Sequence, residues 1–155
     1  MTDSKKKKSK AQTIGRTVAF QTLYQEELNP SSPADVPFDA LWDELFAQYC
    51  EEAEVAPSDE QRAAAFNFGR NLFLGVIDRR YEIDAALNNA FDNRTLKHTT
   101  PVDRSILRLA AYEMLYVKTP RAIVISEALE LGKKFGDKNS RVFLNGVLDQ
   151  IGKQD

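Results

Sequence analysis

A cluster of cations near the N-terminus is the feature of this sequence with the clearest chemical use. It consists of Lys5, Lys6, Lys7, Lys8 and Lys10, followed by Arg16. Lysines at this density bind phosphate backbones, because each neutralised phosphate releases condensed counterions. Few large apolar residues accompany them, so we predict that residues 1–13 are a disordered arm that folds against RNA or DNA on binding. A solubilising tail is the alternative interpretation.

A second, smaller basic spot is predicted near the C-terminus. Lys138 and Arg141 flank Asn139, and the aromatic residue Phe143 follows. Aromatic rings beside cations stack on unpaired bases, which makes Phe143 and Tyr24 candidate base contacts. A plain helix-cap turn explains the basic residues equally well, and core packing is the alternative for both rings.

Enzymatic chemistry is not indicated by any residue pattern. His98 is the only histidine and Cys50 the only cysteine, and Cys50 precedes Glu51 and Glu52, whose charges disfavour a thiolate. The sequence has no set of zinc ligands and no glycine-rich phosphate loop. We therefore predict a protein that is not an enzyme and has no catalytic residues, metal site or cofactor.

The charge is unevenly distributed along the 155 residues. The formal net charge of −2 conceals +5 on residues 1–16 and therefore −7 on the remainder. A basic arm on a mildly acidic body predicts local binding of a polyanion, with the rest of the surface free for another partner. The single cysteine favours a reducing cytoplasm, and no apolar run is long enough to cross a membrane.

Apolar spacing predicts an all-α fold of about six or seven helices. The clearest stripe runs from Phe38 to Tyr49, and Ser58 with Gln61 has the spacing of a capping box that begins the next helix. The helical period breaks near Tyr81. Thr100 and Pro101 are typical of an N-cap and a first helical position.

These elements predict one helical domain behind the arm. It covers residues 14–155, with N-terminal helices in 14–80 and a C-terminal bundle in 81–152. Several polar residues interrupt the apolar stripes of the bundle, and we predict structural roles for most of them: Arg108, Glu113, Glu127, Asn145 and Asp149.

Five strings give the chain a specific resemblance. They are RTVAFQTLY (residues 16–24), LFLGVIDRRYEID (72–84), VDRSILRLAAYEMLY (102–116), VISEALELGKKFG (124–136) and FLNGVLDQI (143–151). The chain resembles the NusB family of bacterial transcription antitermination factors. The resemblance implies an all-helical fold of two small bundles packed together.

The same resemblance implies a function and a set of contacts. Members of the family bind the single-stranded boxA element of ribosomal RNA leaders together with the small-subunit ribosomal protein NusE, and so help RNA polymerase read through terminators. RNA contacts are expected from the lysine cluster, from Arg16 and from Lys138, Asn139, Arg141 and Phe143. Contacts with the protein partner are expected from Tyr24, Leu96, Lys97 and Asp103.

Two departures from the family pattern affect the arm. Residues 11–15 separate the lysines from the first helix, and lysines replace arginines, which removes bidentate phosphate geometry. The resemblance therefore implies a basic arm and not its individual contacts. Two other functions remain open: a stand-alone relative of the helical RNA-binding domain of ribosomal RNA cytosine methyltransferases, and a homodimeric interaction module.

Overall fold

The computed structural model describes residues 2–30, 36–91 and 96–152, with side chains from Lys10 onward. Seven α-helices account for most of these residues, and no strand occurs among them, which confirms the predicted all-α class. The helices are α1 (Thr2–Leu28), α2 (Pro37–Ala53), α3 (Asp59–Asp78), α4 (Arg80–Ala90), α5 (Pro101–Tyr112), α6 (Arg121–Phe135) and α7 (Ser140–Gly152). A short 3₁₀ helix (Leu96–His98) precedes α5, and a π-helical turn (Glu113–Val117) follows it.

Helix α1 begins at Thr2, whereas the sequence predicts that the helical domain begins at residue 14. Lysine, glutamine and alanine favour helices, so the sequence between the arm and the packed part contains no strong helix breaker. Among the side chains that the structure describes, the first buried ones in α1 are those of Ala11 and Ile14. Disorder of residues 1–13 in the unbound protein stays a prediction.

The chain divides into two compact units, residues 1–74 and 75–155. The sequence predicts the division after residue 80, where the helical period breaks. The structure does interrupt the helix there, between Asp78 and Arg80. The unit boundary lies a few residues earlier, within α3, because Gly75 already lies against the ring of Tyr112 in the second unit.

Aromatic packing forms the core of the first unit. Phe38 lies within 5.5–6.2 Å, between ring centroids, of Trp42, Phe66 and Phe73, and Trp42 also stacks on Phe46. Burial of such rings, and their offset and edge contacts, makes a large contribution to the stability of a core. The apolar stripe read from the sequence therefore does face the interior.

The predicted capping box at the start of α3 is confirmed. The Ser58 N–H donates to Gln61 Oε1 at 2.9 Å, and the Gln61 N–H donates to Ser58 Oγ at 3.1 Å. These two bonds satisfy amide groups that have no partner within the helix.

A close approach between α1 and α3 depends on two glycines. A Cβ atom at Gly15 would lie 2.6 Å from the carbonyl oxygen of Ala65, and one at Gly69 would lie 2.6 Å from that of Gly15. Both atoms that an added Cβ would meet belong to the backbone. The two helices would therefore have to move apart to make room for it.

Replacing Gly15 with alanine is therefore expected to lower the free energy of unfolding by about 1–3 kcal/mol, the usual effect of overpacking. Gly146→Ala is the matched control, because a Cβ there would meet no atom within 4 Å. Alanine at that helical position is expected to add about 0.5–1 kcal/mol. Urea unfolding of both variants measures the difference, and equal stabilities would contradict the close approach.

In the second unit, α5 packs against α4, α6 and α7. Its start has the predicted cap, since the hydroxyl of Thr100 accepts a hydrogen bond from the Asp103 N–H at 3.2 Å, with Pro101 at the first position. Its inner face, which includes Ile106, Leu107 and Leu109, is buried. This helix is the element that positions the loops on either side of it.

Hydrogen bonds between polar side chains also stabilise this unit. Arg108 forms a bidentate pair with Asp84, with nitrogen–oxygen distances of 2.8 and 3.1 Å. Thr119 donates to the buried carboxylate of Glu113 at 3.0 Å. Structural roles for Arg108 and Glu113 are thereby confirmed.

The remaining polar residues of the bundle differ in their hydrogen bonds and in their exposure to solvent. Arg121 hydrogen-bonds both the side chain and the carbonyl of Asp149, which confirms a structural role for Asp149. Asn145 is exposed and Glu127 is half-buried, so their predicted structural roles stay predictions.

Candidate RNA interface

The predicted basic arm lies ahead of the packed part of α1. The side chains of Lys5, Lys6, Lys7 and Lys8 lie outside the described part of the structure. Lys10 is exposed, and the next residue, Ala11, is buried. The last lysine of the cluster therefore directly precedes a buried residue, and the contacts of the cluster with RNA stay a prediction.

Arg16 does not extend this cationic surface. Its side chain is only 3% exposed, and its guanidinium carbon lies over the ring of Phe68, 5.1 Å from the centroid. The expectation of an exposed basic contact at Arg16 is wrong for the free protein. The sequence around Arg16 did not indicate that Phe68 would contact it, because Phe68 belongs to another helix.

The second predicted site is the turn between α6 and α7, residues 136–140, called here the α6–α7 turn. Its backbone is fixed by short-range hydrogen bonds. Asn139 N–H donates to Asp137 Oδ1 at 2.8 Å, and Asp137 N–H donates to Ser140 Oγ at 3.0 Å. Lys138, Asn139 and Arg141 are all exposed. The structure thus presents Lys138 and Asn139 on one ordered turn, and Arg141 follows them in the first turn of α7.

Two further lysines belong to this surface and were not among the predicted contacts. Lys133 and Lys134, in the last turn of α6, are exposed. A Cβ at the adjacent Gly132 would lie 4.0 Å from the backbone nitrogen of Arg141, so the end of α6 lies beside the start of α7. From sequence alone these lysines are explained by the helix dipole, which favours cations in a last turn.

Phe143 lies beside this basic surface but one face of its ring is occupied. It stacks on Phe91 with 5.9 Å between centroids and 16° between the ring planes. Phe143 is half-buried, whereas the neighbouring Val142 is 80% exposed. Base stacking on Phe143 therefore stays a prediction for the part of the ring that remains exposed.

The four predicted partner contacts do not share one environment. Lys97 is exposed, and Tyr24 is half-buried with its ring stacked on Phe20. Leu96 is 3% exposed and Asp103 is 6% exposed. The expectation of a surface contact is wrong for Leu96 and Asp103 in the free chain, because Leu96 packs into the core and Asp103 faces the α6–α7 turn.

The Asp103 carboxyl has an unusual environment. Burial is the main cause that raises its pKa above the ordinary aspartate value, and the charge of Asp137 acts in the same direction. Hydrogen bonds from the side chains of Ser140 and Thr100 oppose the shift. Among the described atoms, Asp103 Oδ1 has no hydrogen-bond partner.

This shift predicts a pH dependence of stability. Because the pKa is raised in the folded state, the folded protein retains a proton that the unfolded chain has released, so stability falls as pH rises through that interval. The interval begins near the ordinary aspartate pKa of about 3.9. We expect wild type to gain stability relative to Asp103→Asn as the pH falls from 7 to 4, measured by urea unfolding, and parallel profiles would contradict the assignment.

Metal-binding groups and membrane-spanning helices are both absent from the part of the chain that the structure describes. No group of three or more histidine, cysteine or acidic residues is arranged to hold a metal ion. None of the described helices combines the length and apolar character needed to cross a membrane.

The fold and the interface define a class of protein: a helical body with cationic groups at its N-terminus and on one inter-helical turn, the arrangement of a polyanion-binding adaptor. The chain belongs to the NusB family, whose model matches residues 13–153.

Individual relatives agree with this membership. The chain is 38% identical to the transcription antitermination protein NusB of Elusimicrobium minutum, over 91% of this chain and 92% of that one. It is 35% identical to the protein of the same name from Geobacter sulfurreducens, over 91% and 93%. Membership in a family of antitermination factors confirms the prediction that the chain is not an enzyme.

A solved structure extends the similarity to the fold. The chain superposes with a TM-score of 0.69 and 25% identity on a structure of the antitermination factors NusB and NusE in complex with double-stranded RNA, covering 94% of this chain and 98% of that one.

Proposed function

We propose that this protein is a transcription antitermination factor that binds boxA-type single-stranded RNA of ribosomal operon leaders together with NusE. The observation that supports this proposal most strongly is the match to antitermination proteins along nearly the whole chain. The similar structure that contains NusB, NusE and RNA supports both classes of partner. The function places the protein in the cytoplasm, within an antitermination complex on RNA polymerase.

Two cationic regions supply the RNA contacts in this proposal. The lysine cluster provides affinity that depends on counterion release and carries little sequence information. The α6–α7 turn adds Lys138, with Arg141 in the first turn of α7 and Lys133 and Lys134 in the last turn of α6. An ordered turn holds its hydrogen-bonding groups in place, which suits it to reading the edges of unpaired bases.

The protein partner has a smaller set of candidate contacts than the resemblance implies. Lys97 and Tyr24 have accessible side chains, whereas Leu96 and Asp103 would require movement to be reached. We therefore propose Lys97 and Tyr24 as the partner contacts of the free chain.

Binding to a short boxA-type RNA and to a scrambled RNA of equal composition tests the proposal. Fluorescence anisotropy at two salt concentrations, with and without NusE, separates the contributions. We expect preference for boxA in the presence of NusE, and stronger binding of both RNAs at low salt. Equal affinity for the two RNAs with NusE present would contradict the proposal, because it would show that the protein binds RNA only as a nonspecific polycation.

The two alternatives differ in their support. The matched relatives are antitermination proteins of nearly the same length, which favours antitermination over a role beside a methyltransferase. A homodimer that masks the RNA surface stays a prediction, and light scattering with and without RNA tests it, since a masking dimer dissociates as RNA binds.

A further inference from the structure

We propose that Phe91 is a positioning residue for RNA binding, which holds the ring of Phe143 in the plane on which an unpaired base stacks. The inference rests on the proposed function, because it assumes that Phe143 contacts RNA. Phe91 was not among the predicted contacts, since it lies at the end of a different helix, α4. Its action is exerted on the ring of Phe143 and needs no contact of its own with RNA.

The rings of Phe91 and Phe143 form a stacked pair. Their centroids are 5.9 Å apart, and their planes differ by only 16°. Nearly parallel rings at this separation are offset, which is a favoured arrangement of aromatic pairs. The second side-chain torsion of phenylalanine has a broad energy profile, so an isolated ring has no strong preference for one plane. The ring of Phe91 therefore restricts the plane of Phe143.

Phe143 lies at the border between the exposed and the buried sides of α7. The preceding Val142 is 80% exposed, whereas the following Leu144 is fully buried. Arg141, in the same helical turn, is exposed, as is Lys138 on the α6–α7 turn. A base that stacks on Phe143 would bring the phosphates of its strand towards these two cations, which is the usual combination in single-strand binding.

Asn88 fixes the position of Phe91. Phe91 is the C-cap of α4, and its N–H donates to the carbonyl oxygen of Asn88 at 3.4 Å. Asn88 Oδ1 in turn accepts the N–H of Leu96 at 2.8 Å. Leu96 is 3% exposed, and Arg104 donates to its carbonyl oxygen at 3.2 Å. These bonds anchor the end of α4, so Phe91 orients Phe143 from a fixed support.

A ring that is already oriented binds a base more tightly than one that must be ordered on binding. Ordering a side chain opposes association, and orientation in the free protein removes that term. If Phe143 adopts the stacking plane only about one fifth of the time without Phe91, the apparent Kd rises about fivefold.

The main test compares Phe91→Leu, Phe143→Ala and the double variant. Leucine keeps an apolar side chain at position 91 but has no ring plane. The Kd for a short boxA-type RNA is measured by fluorescence anisotropy without NusE. We expect it to rise about fivefold in Phe91→Leu, and about tenfold or more in Phe143→Ala, where the stacking surface itself is lost. Because Phe91 acts through Phe143, the double variant should bind no more weakly than Phe143→Ala alone.

A spectroscopic signal separates positioning from general destabilisation. The RNA carries 2-aminopurine, an adenine analogue whose fluorescence is quenched by stacking, at each position in turn. At one position we expect quenching in the saturated wild-type complex, none with Phe143→Ala and weaker quenching with Phe91→Leu. Phe91→Tyr keeps an aromatic ring at this half-buried position, and should retain the quenching and a Kd within about twofold of wild type.

Tyr116→Leu is the matched control. Tyr116 stacks on Tyr112 with 5.4 Å between centroids and 30° between planes, so the substitution also removes one ring of a stacked pair in the second unit. This pair does not belong to the candidate RNA interface. The Kd and the quenching should therefore stay at their wild-type values.

Several results would overturn the inference. Wild-type Kd and quenching in Phe91→Leu would show that Phe143 does not depend on Phe91. Additive losses in the double variant would show that Phe91 acts on RNA without Phe143. Equal losses in Phe91→Tyr and Phe91→Leu would show that the ring plane is not the cause. An unchanged Kd in Phe143→Ala would remove the stacking site and leave the preference for boxA intact, whereas failure of the proposed function would abolish that preference in wild type itself.

Discussion

Replacing the five lysines of the cluster with glutamine is expected to weaken RNA binding by about two to three orders of magnitude near 0.1 M salt, and to flatten its salt dependence. The variant carries Lys5→Gln, Lys6→Gln, Lys7→Gln, Lys8→Gln and Lys10→Gln. Each lysine that neutralises a phosphate of a single strand contributes about −0.7 to the slope of log K against log salt, so the slope should decrease in magnitude by about 3.5. Substitution is preferable to deletion through residue 16, because Ala11, Ile14 and Arg16 are buried.

Two control variants make the result specific. Replacing the same five lysines with arginine keeps the charge and should preserve the slope. Arg62→Gln with Arg70→Gln removes cations that are already paired with Asp43 and Asp39, and should change the slope little. Isothermal titration or anisotropy at four salt concentrations gives the slopes. An unchanged slope in the glutamine variant would contradict the role of the arm.

Asp84→Ala is expected to lower the free energy of unfolding by about 3 kcal/mol, the largest stability change that we predict. Removal of the carboxylate leaves the guanidinium of Arg108 in place, with a side chain that is only 10% exposed. Because this site has little access to water, loss of the two hydrogen bonds to Asp84 is far more destabilising than the pair is stabilising. Urea unfolding monitored by circular dichroism measures the change.

An exposed ion pair provides the comparison. Asp43→Ala breaks the pair with Arg62, whose side chains are 46% (Arg62) and 86% (Asp43) exposed, and should change stability by less than about 1 kcal/mol. Replacing Arg108 with Met and Asp84 with Leu together should recover most of the loss, since well-packed apolar residues substitute for buried pairs. A loss below 1 kcal/mol in Asp84→Ala would show that Arg108 finds another partner or water.

Features that depend on neighbouring residues in the sequence were predicted correctly. The capping box of Ser58 and Gln61 and the cap at Thr100 follow from residues within one helical turn. The break predicted near Tyr81 lies two residues earlier, at Arg79. Local hydrogen bonds and backbone preferences decide these features, and they are encoded at fixed spacing. The family resemblance was likewise readable, because it depends on residue identities alone.

The candidate site was predicted in part. Lys138, Asn139 and Arg141 were identified from their types, and the structure places the first two on an exposed turn and Arg141 at the start of the helix that follows it. Lys133 and Lys134 were missed, because their nearness to that turn depends on how α6 meets α7. Two lysines in the last turn of one helix give no local sign that another helix begins beside them.

The sequence by itself determined the helical class, the positions of the caps, the family and the presence of a cationic arm. Only the tertiary structure decided which polar residues are accessible. Arg16 stacks on the ring of Phe68, and Leu96 and Asp103 are buried, although all three were expected at the surface. The physical reason is that burial is set by side chains from other helices, which are distant in the chain and carry no signal in the local pattern.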